Sequence, residues 1–421
     1  MKKSLLILSL IASANAFAGS IDYLAQQDAE YFAHPSMIGK IGVSGAYYNP
    51  AGTVFLEDGL YVQLNSQTLL KNYEMETIGG DSHKSDHPTL FVPSIQIVKK
   101  EGDRSYFLHA GAAAGGGKVE YNGISAFEII GNSIPGAEYI DASTVEGSSY
   151  YFNTTFGMAQ KINSKFSVAG GLRMMYVTRE LCGTGYYDYK SQFINTPVEV
   201  TIDSERTGWG VGGVIGFNYQ PTDRLNIGFK YETEVKLDLD ADGKLDVNSN
   251  SGALNNMLEN ILSQNGVIAE WLVDGNRNLP AMMALGVSYQ LTDRITLLTS
   301  GNYYFIKDAN TDNPYDHYDN GYEVSVGVDY KLNDKWTLMA GYQYTDTGAN
   351  EHTYKDTDYA LDADMYGAGV KYTPDETKEF LISYAYVDYK NGTAVDGKTG
   401  AKTTTFKKQV DAIALSATFK F

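Results

Sequence analysis

From residue 59 onward, apolar and polar residues alternate in runs separated by short polar turns. In 320–332, Tyr322, Val324, Val326, Val328 and Tyr330 alternate with Glu323, Ser325, Gly327 and Asp329. In 335–348, Trp336, Leu338, Ala340, Tyr342 and Tyr344 alternate with Thr337, Gly341 and Gln343. In 223–238, Leu225, Ile227, Phe229 and Tyr231 alternate with Asn226, Gly228, Lys230 and Glu232. The last run sets Ile413, Leu415, Ala417, Phe419 and Phe421 against Ser416, Thr418 and Lys420. Successive side chains of a strand point to opposite faces, so each run predicts a strand with one greasy and one polar surface.

A soluble sandwich reads similarly strand for strand. Two features favour a membrane barrel: the apolar faces end in Tyr, Trp or Phe, as an interfacial girdle requires, and the polar faces carry charge and glycine, as a wet lumen does. The pattern predicts about fourteen strands, at 59–76, 88–100, 103–121, 146–162, 165–182, 197–219, 223–238, 278–290, 293–308, 320–332, 335–348, 359–373, 377–390 and 405–421. Every even-numbered strand is followed by a tight turn such as Asn163-Ser164 or Asn333-Asp334, and most odd-numbered ones by longer loops. That asymmetry, with an even count that closes the sheet without a free edge, predicts an all-β transmembrane antiparallel barrel.

Two stretches break the alternation. Residues 19–58 contain Pro35, Pro50 and several glycines and read as a plug. In 251–273, Leu254, Met257, Leu258, Ile261 and Leu262 recur at helical spacing, with Val267, Ile268, Trp271 and Leu272 adding apolar surface. This helix falls in an outer loop, where it covers a greasy groove or merely packs on neighbouring loops.

Composition narrows the class. The net charge is −18 and the sequence pI about 4.7, against nucleic acid as a partner. Cys182 is the only cysteine, so no intrachain disulfide staples the fold. The 33 Tyr and 43 Gly with only 10 Pro suit long strands with aromatic girdles. At the N-terminus, Lys2 and Lys3 precede the apolar run Leu5 to Ile11, and small residues allow cleavage after Ala14-Asn15-Ala16 or Ala16-Phe17-Ala18. This is the order of a secretory signal peptide. The expected division is therefore a signal peptide over 1–18, a plug over 19–58 and a barrel over 59–421.

Residues Ala46-Tyr47-Tyr48-Asn49-Pro50-Ala51-Gly52 resemble the NPA signature of the FadL-type outer-membrane transporters of long-chain fatty acids and aromatic hydrocarbons. The resemblance continues through Gly213 to Asp223 and through Leu279 to Tyr289, and so spans essentially the whole mature chain. It implies a fourteen-stranded barrel closed by an N-terminal hatch holding Asn49, Pro50 and Ala51. It also implies a third strand kinked inward, leaving a side opening to the membrane. Gly111, Gly115, Gly116 and Gly117 supply a physical reason for such a kink, because glycine weakens a strand and permits sharp bends. Transport would then begin between outer loops 183–196 and 239–277, pass through a lumen pocket and end sideways in the membrane. Leu258 and Leu262 are candidate ligand contacts in the outer loop. The C-terminal Phe421 fits recognition by outer-membrane assembly machinery, and the resemblance favours a monomer.

By strand parity Arg173, Arg206 and Lys230 point inward, as partners for a ligand carboxylate or for lumen acids such as Glu232, Glu234 and Glu323. No cofactor or metal site is expected. Asp238-Leu239-Asp240-Ala241-Asp242-Gly243 matches half of a calcium loop, but its twelfth position is Ser249 rather than Glu. His83 and His87, beside Asp81 and Asp86, lie in a loop that fixes no shared face. The competing classes are a general diffusion porin and an outer-membrane barrel enzyme, a phospholipase or protease. His109, inward on the third strand, is the base such an enzyme would use, yet no Ser-His-Asp order accompanies it.

Overall fold

The computed structural model describes residues 28–115, 117–123, 127, 134–263, 271–309, 318–356, 359–397 and 399–421. The expected signal peptide, residues 19–27 of the expected plug, Gly116, Val267 and Ile268 lie outside the described residues.

Fourteen strands form the wall. They are β1 (Gly59–Thr77), β2 (Thr89–Glu101), β3 (Arg104–Ala114), β4 (Val145–Asn163), β5 (Phe166–Lys190), β6 (Asn195–Thr222) and β7 (Leu225–Glu232), then β8 (Met282–Gln290), β9 (Ile295–Tyr304), β10 (Gly321–Lys331), β11 (Trp336–Asp346), β12 (Ala363–Asp375), β13 (Lys378–Tyr389) and β14 (Lys402–Lys420). Each pairs antiparallel with the next, and β14 pairs with β1 from Lys420 opposite Tyr61 to Thr404 opposite Thr77. The sheet therefore closes on itself, as a membrane-spanning sheet must.

Alternation places the faces as expected. Val324 and Val326 are exposed on the outside, whereas Glu323 and Ser325 between them are buried inside. Leu415 is exposed and Ser416 buried in the same way. Aromatic residues stack across strands near the wall's rims, as Trp336 on Tyr372 at 4.5 Å.

Several boundaries differ from expectation. Residues 183–190 are not loop but the outer end of β5, and β6 begins at Asn195 rather than 197. Likewise the expected outer loop 239–277 contains most of a strand, Asp238–Ser249, whose Asp240–Ser249 pairs with Val198–Thr207 of β6. The reason is that two-residue alternation persists there: Val198, Val200 and Ile202 are buried on one side while Glu199, Asp203 and Glu205 are exposed. Strand seven ends at Glu232, not 238. The third strand is not continuous over 103–121: β3 stops at Ala114, and Val119–Tyr121 forms a separate piece on the outer end of β4.

The segment before the wall lies inside the cylinder. It comprises a short helix α1 (Ala29–Ala33) and two 3-10 turns, Val43–Ala46 and Pro50–Phe55, nearly all buried. Its seat is a groove of inward-facing glycines. A Cβ on Gly228 would sit 2.0 Å from the Ile38 carbonyl oxygen, and one on Gly367 would sit 2.2 Å from that of Phe32. Side chains absent from the wall make room for this backbone.

Candidate functional site

Polar side chains around the wall hold the inner segment. Ile38 N–H donates to Ser300 of β9 at 3.2 Å, Gln343 of β11 donates to the Tyr31 hydroxyl at 2.8 Å, and Lys371 of β12 donates to Glu30 at 2.7 Å. The Asn49-Pro50-Ala51 tripeptide has a separate physical role for each residue. The Asn49 carboxamide oxygen caps the 3-10 turn by accepting from Gly52 N–H at 3.1 Å, while its nitrogen donates to Asn218 of β6 at 2.8 Å. Pro50 opens the turn, where its missing N–H costs nothing. Ala51 is fully buried, and its carbonyl accepts from Ser167 of β5 at 2.6 Å.

At one side of the seat, an ionic network joins segment to wall. Lys40 contacts both Glu30 and Asp329 at 2.7 Å, His34 contacts Asp329 at 2.9 Å, and Lys371 bridges Glu30 to Glu379. Asp28, which caps α1, is pushed up to about 6 by burial and by the adjacent Glu30. Burial alone would raise Glu30 too, but Lys371 and Lys40 hold it well below the usual carboxylate range. A carboxyl whose seated value is raised above its ordinary 3.8 binds more protons when seated. Its contribution is therefore complete at pH 4 and below and fades as pH rises to about 6. Limited proteolysis of the segment should accordingly be slower at pH 5 than at pH 7, and Asp28→Asn should remove that difference.

Beneath Tyr47 lies a buried charge cluster. Arg173 of β5 contacts Glu232 at 2.8 Å, and Lys230 of β7 contacts the same carboxylate at 2.8 Å. Two cations thus share one anion. Lys230 also donates to the Tyr47 carbonyl at 2.9 Å and lies 4.3 Å from the centre of its ring. His109 packs on that ring at 4.6 Å, fully buried, and among the described residues neither its imidazole nitrogens nor Arg173 Nε has a hydrogen-bond partner. The inward parity expected for Arg173, Arg206 and Lys230 is observed, and the lumen acid Glu232 pairs with two of them. Arg206 lies apart, opposite Arg179, which stacks over Trp271 at 4.7 Å.

The third strand parts from its neighbour above this cluster. Pairing of β3 with β2 ends at Gly111 opposite Ser94, and its pairing with β4 is offset between Ala112 and Ala114. Gly115 and Gly117 follow with φ of 97° and 81°, values that L side chains avoid. A Cβ on Gly115 would lie 2.3 Å from the Ser149 carbonyl oxygen.

Against the break lies a buried apolar cluster that periodicity did not reveal: Ala113, Tyr151, Met175, Val177, Val235, Leu237, Leu239 and Leu279. Part of it comes from residues 233–239, which leave the wall and cross its inner face, held by paired backbone hydrogen bonds between Val235 and Leu279. They pack over Gly208 and Gly210, where Cβ atoms would meet the carbonyl oxygens of Asp238 and Lys236 at 2.4 and 2.2 Å. The legible signal was a strand with glycine at 208, 210 and 212, successive inward positions.

Of the outer helix expected over 251–273, Gly252–Leu262 forms helix α2, capped by Ser251, and residues 264–270 lie outside the described residues. Its buried face, Leu254, Leu258 and Leu262, turns toward the strand ends. Leu258 and Leu262 line a small apolar pocket with Tyr187, Tyr189, Val198 and Val200. The calcium-like run at 238–243 lies on a strand, and the described residues contain no metal-holding cluster of three or more His, Cys, Asp or Glu.

A closed barrel with an apolar exterior and a polar, filled lumen defines an outer-membrane protein. The chain belongs to the outer membrane protein transport protein family (OMPP1/FadL/TodX), whose model matches residues 5–421. It is 23% identical over 366 residues to the long-chain fatty acid transport protein of Escherichia coli O6:H1, covering 80% of this chain and 78% of that one. Its fold is similar to that of a Pseudomonas aeruginosa FadL homologue (TM-score 0.72, 16% identity, 96% of this chain and 100% of that one). It is also similar to the P. putida toluene transporter TodX (TM-score 0.68, 16% identity, 94% and 99%). The protein thus resides in the outer membrane of a Gram-negative bacterium, and its family makes it a transport protein for hydrophobic compounds.

Proposed function

We propose that this protein takes up long-chain fatty acids, with residues 28–58 acting as the hatch. The acyl chain is captured at the outer pocket of Leu258 and Leu262. It then moves along the apolar cluster of Tyr151, Met175, Val177 and Leu237. Its carboxylate is read by the Arg173–Lys230 pair, and the chain leaves sideways where β3 parts from β2. The observation that carries this reading is the stacking of sites on the same strands. Met175 and Gly111 sit one inward position above Arg173 and His109, about 7 Å along the wall.

An acyl chain that moves from the apolar cluster into hydrocarbon never crosses the charged lumen. Arg173 and Lys230 outnumber Glu232 by one positive charge, so an arriving carboxylate balances the buried cluster. Competition for Lys230 also withdraws its hydrogen bond from the Tyr47 carbonyl, which loosens the hatch. Aromatic hydrocarbon, the substrate named for TodX, has no use for that excess charge.

The test compares a fatty acid with its uncharged alcohol. Lys230→Met should weaken binding of the acid about tenfold, equivalent to about 1.4 kcal/mol, and leave the alcohol unchanged. Equal loss for both, or none for either, would remove the cationic reading.

A further inference from the structure

The lipid-facing side of β2–β5 carries a groove between the break and the periplasmic turn at Gly102–Asp103. Outward side chains lie here in rows across the strands. One row is Ile97, Leu108, Phe156 and Leu172; the row nearer the turn is Lys99, Tyr106, Met158 and Gly170. Gly170 leaves the floor open: a Cβ there meets nothing within 4 Å. Above the groove the outward residues of β3 are Ala110 and Ala112, so a low lane leads from the break down to it. From Ala112 to Tyr106 the lane is about 20 Å long, enough for an extended long acyl chain.

We propose that this lane is an exit track for the free fatty acid, an inference that rests on the side exit proposed above. The acid leaving between β2 and β3 lies along Ala112 and Ala110 and then between Leu108 and Phe156. Its carboxylate ends at Lys99, level with the periplasmic headgroups. Two features support this occupant. The groove is apolar along its length and cationic only at its foot, the charge pattern of a single-chain anion. Lys99 pairs with Glu101 at 2.7 Å, but both are more than half exposed. Such a pair is weak enough for a ligand carboxylate to replace.

The full-length protein in phosphatidylcholine vesicles, given a diazirine-tailed fatty acid from the outer face, tests this. Photolysis should label peptides containing Leu108, Phe156 and Leu172. Gly170→Phe, which fills the floor without a backbone clash, should reduce both that labelling and uptake severalfold while binding to detergent-solubilised protein is retained. Gly115→Val should reduce the labelling in parallel with uptake. Labelling unaffected by Gly115→Val while uptake falls would show that the groove fills from the bilayer, and the track would be lost. Labelling by a diazirine phospholipid that the fatty acid does not displace would overturn it equally. Absence of uptake by the unaltered protein would instead defeat the transport reading, a separately visible result.

Discussion

Replacing Gly228 and Gly367 together with valine is expected to unseat the proposed plug and make the barrel leaky. At each position a Cβ would fall within about 2.2 Å of a hatch carbonyl, far inside van der Waals contact. Valine is a strong strand former, so the wall itself tolerates the change. The clash falls on the hatch, whose backbone passes directly over both glycines. Overpacking of this kind costs about 1–3 kcal/mol per site. Two sites on opposite parts of the seat should outweigh a good share of the hydrogen bonds holding residues 28–58. In liposome swelling, the unaltered protein should admit hydrophilic sugars slowly and the double variant quickly. Fast swelling by the unaltered protein would favour a general diffusion porin and sink the plug reading.

The second large effect is expected at the break. Gly115→Val places a β-branched side chain at a φ of 97° and against the Ser149 carbonyl. Such a residue costs about 1–3 kcal/mol in that conformation. The cheapest relief is for residues 112–118 to become extended and continue the ladder toward β2, whose residues from Thr89 to Pro93 have no β3 partner among the described residues. The wall would then close at the proposed side exit. Uptake of long-chain fatty acid should fall severely while heat-modifiable mobility on gels, the mark of a folded barrel, is kept. Normal uptake by a correctly folded Gly115→Val protein would eliminate lateral release through this break.

The two experiments separate the parts of the mechanism. Opening the hatch seat should raise passage of hydrophilic solutes, and closing the break should lower passage of greasy ones. The acidic window of the Asp28 carboxyl then offers a milder handle on the same seat, without a change of packing.

The wall was readable from the sequence because a strand's two faces meet two different solvents. Tyr322, Val324 and Val326 had to face hydrocarbon, and Glu323 and Ser325 the lumen, so period two carried the fold. Short turns join every even strand to the next, as the polar punctuation predicted. The inward direction of Arg173, Arg206 and Lys230 followed from the same parity, and helical spacing predicted α2.

Parity says only which way a side chain points, not what waits there. That Arg173 and Lys230 share Glu232 under Tyr47, while Arg206 lies apart beside Arg179, depends on strand register and on an inner segment more than a hundred residues away in sequence. The inward turn of residues 233–239 was hidden for a related reason. Glycines at 208 and 210 look like weak strand residues until a second chain is seen to lie on them. The sequence by itself determined the cylinder and its greasy exterior, since each follows from local alternation against solvent. Only the tertiary structure decided how the inner segment is seated on the wall and which apolar cluster lies against the third-strand break. Those depend on long-range packing over missing side chains, for which the chain carries no local period.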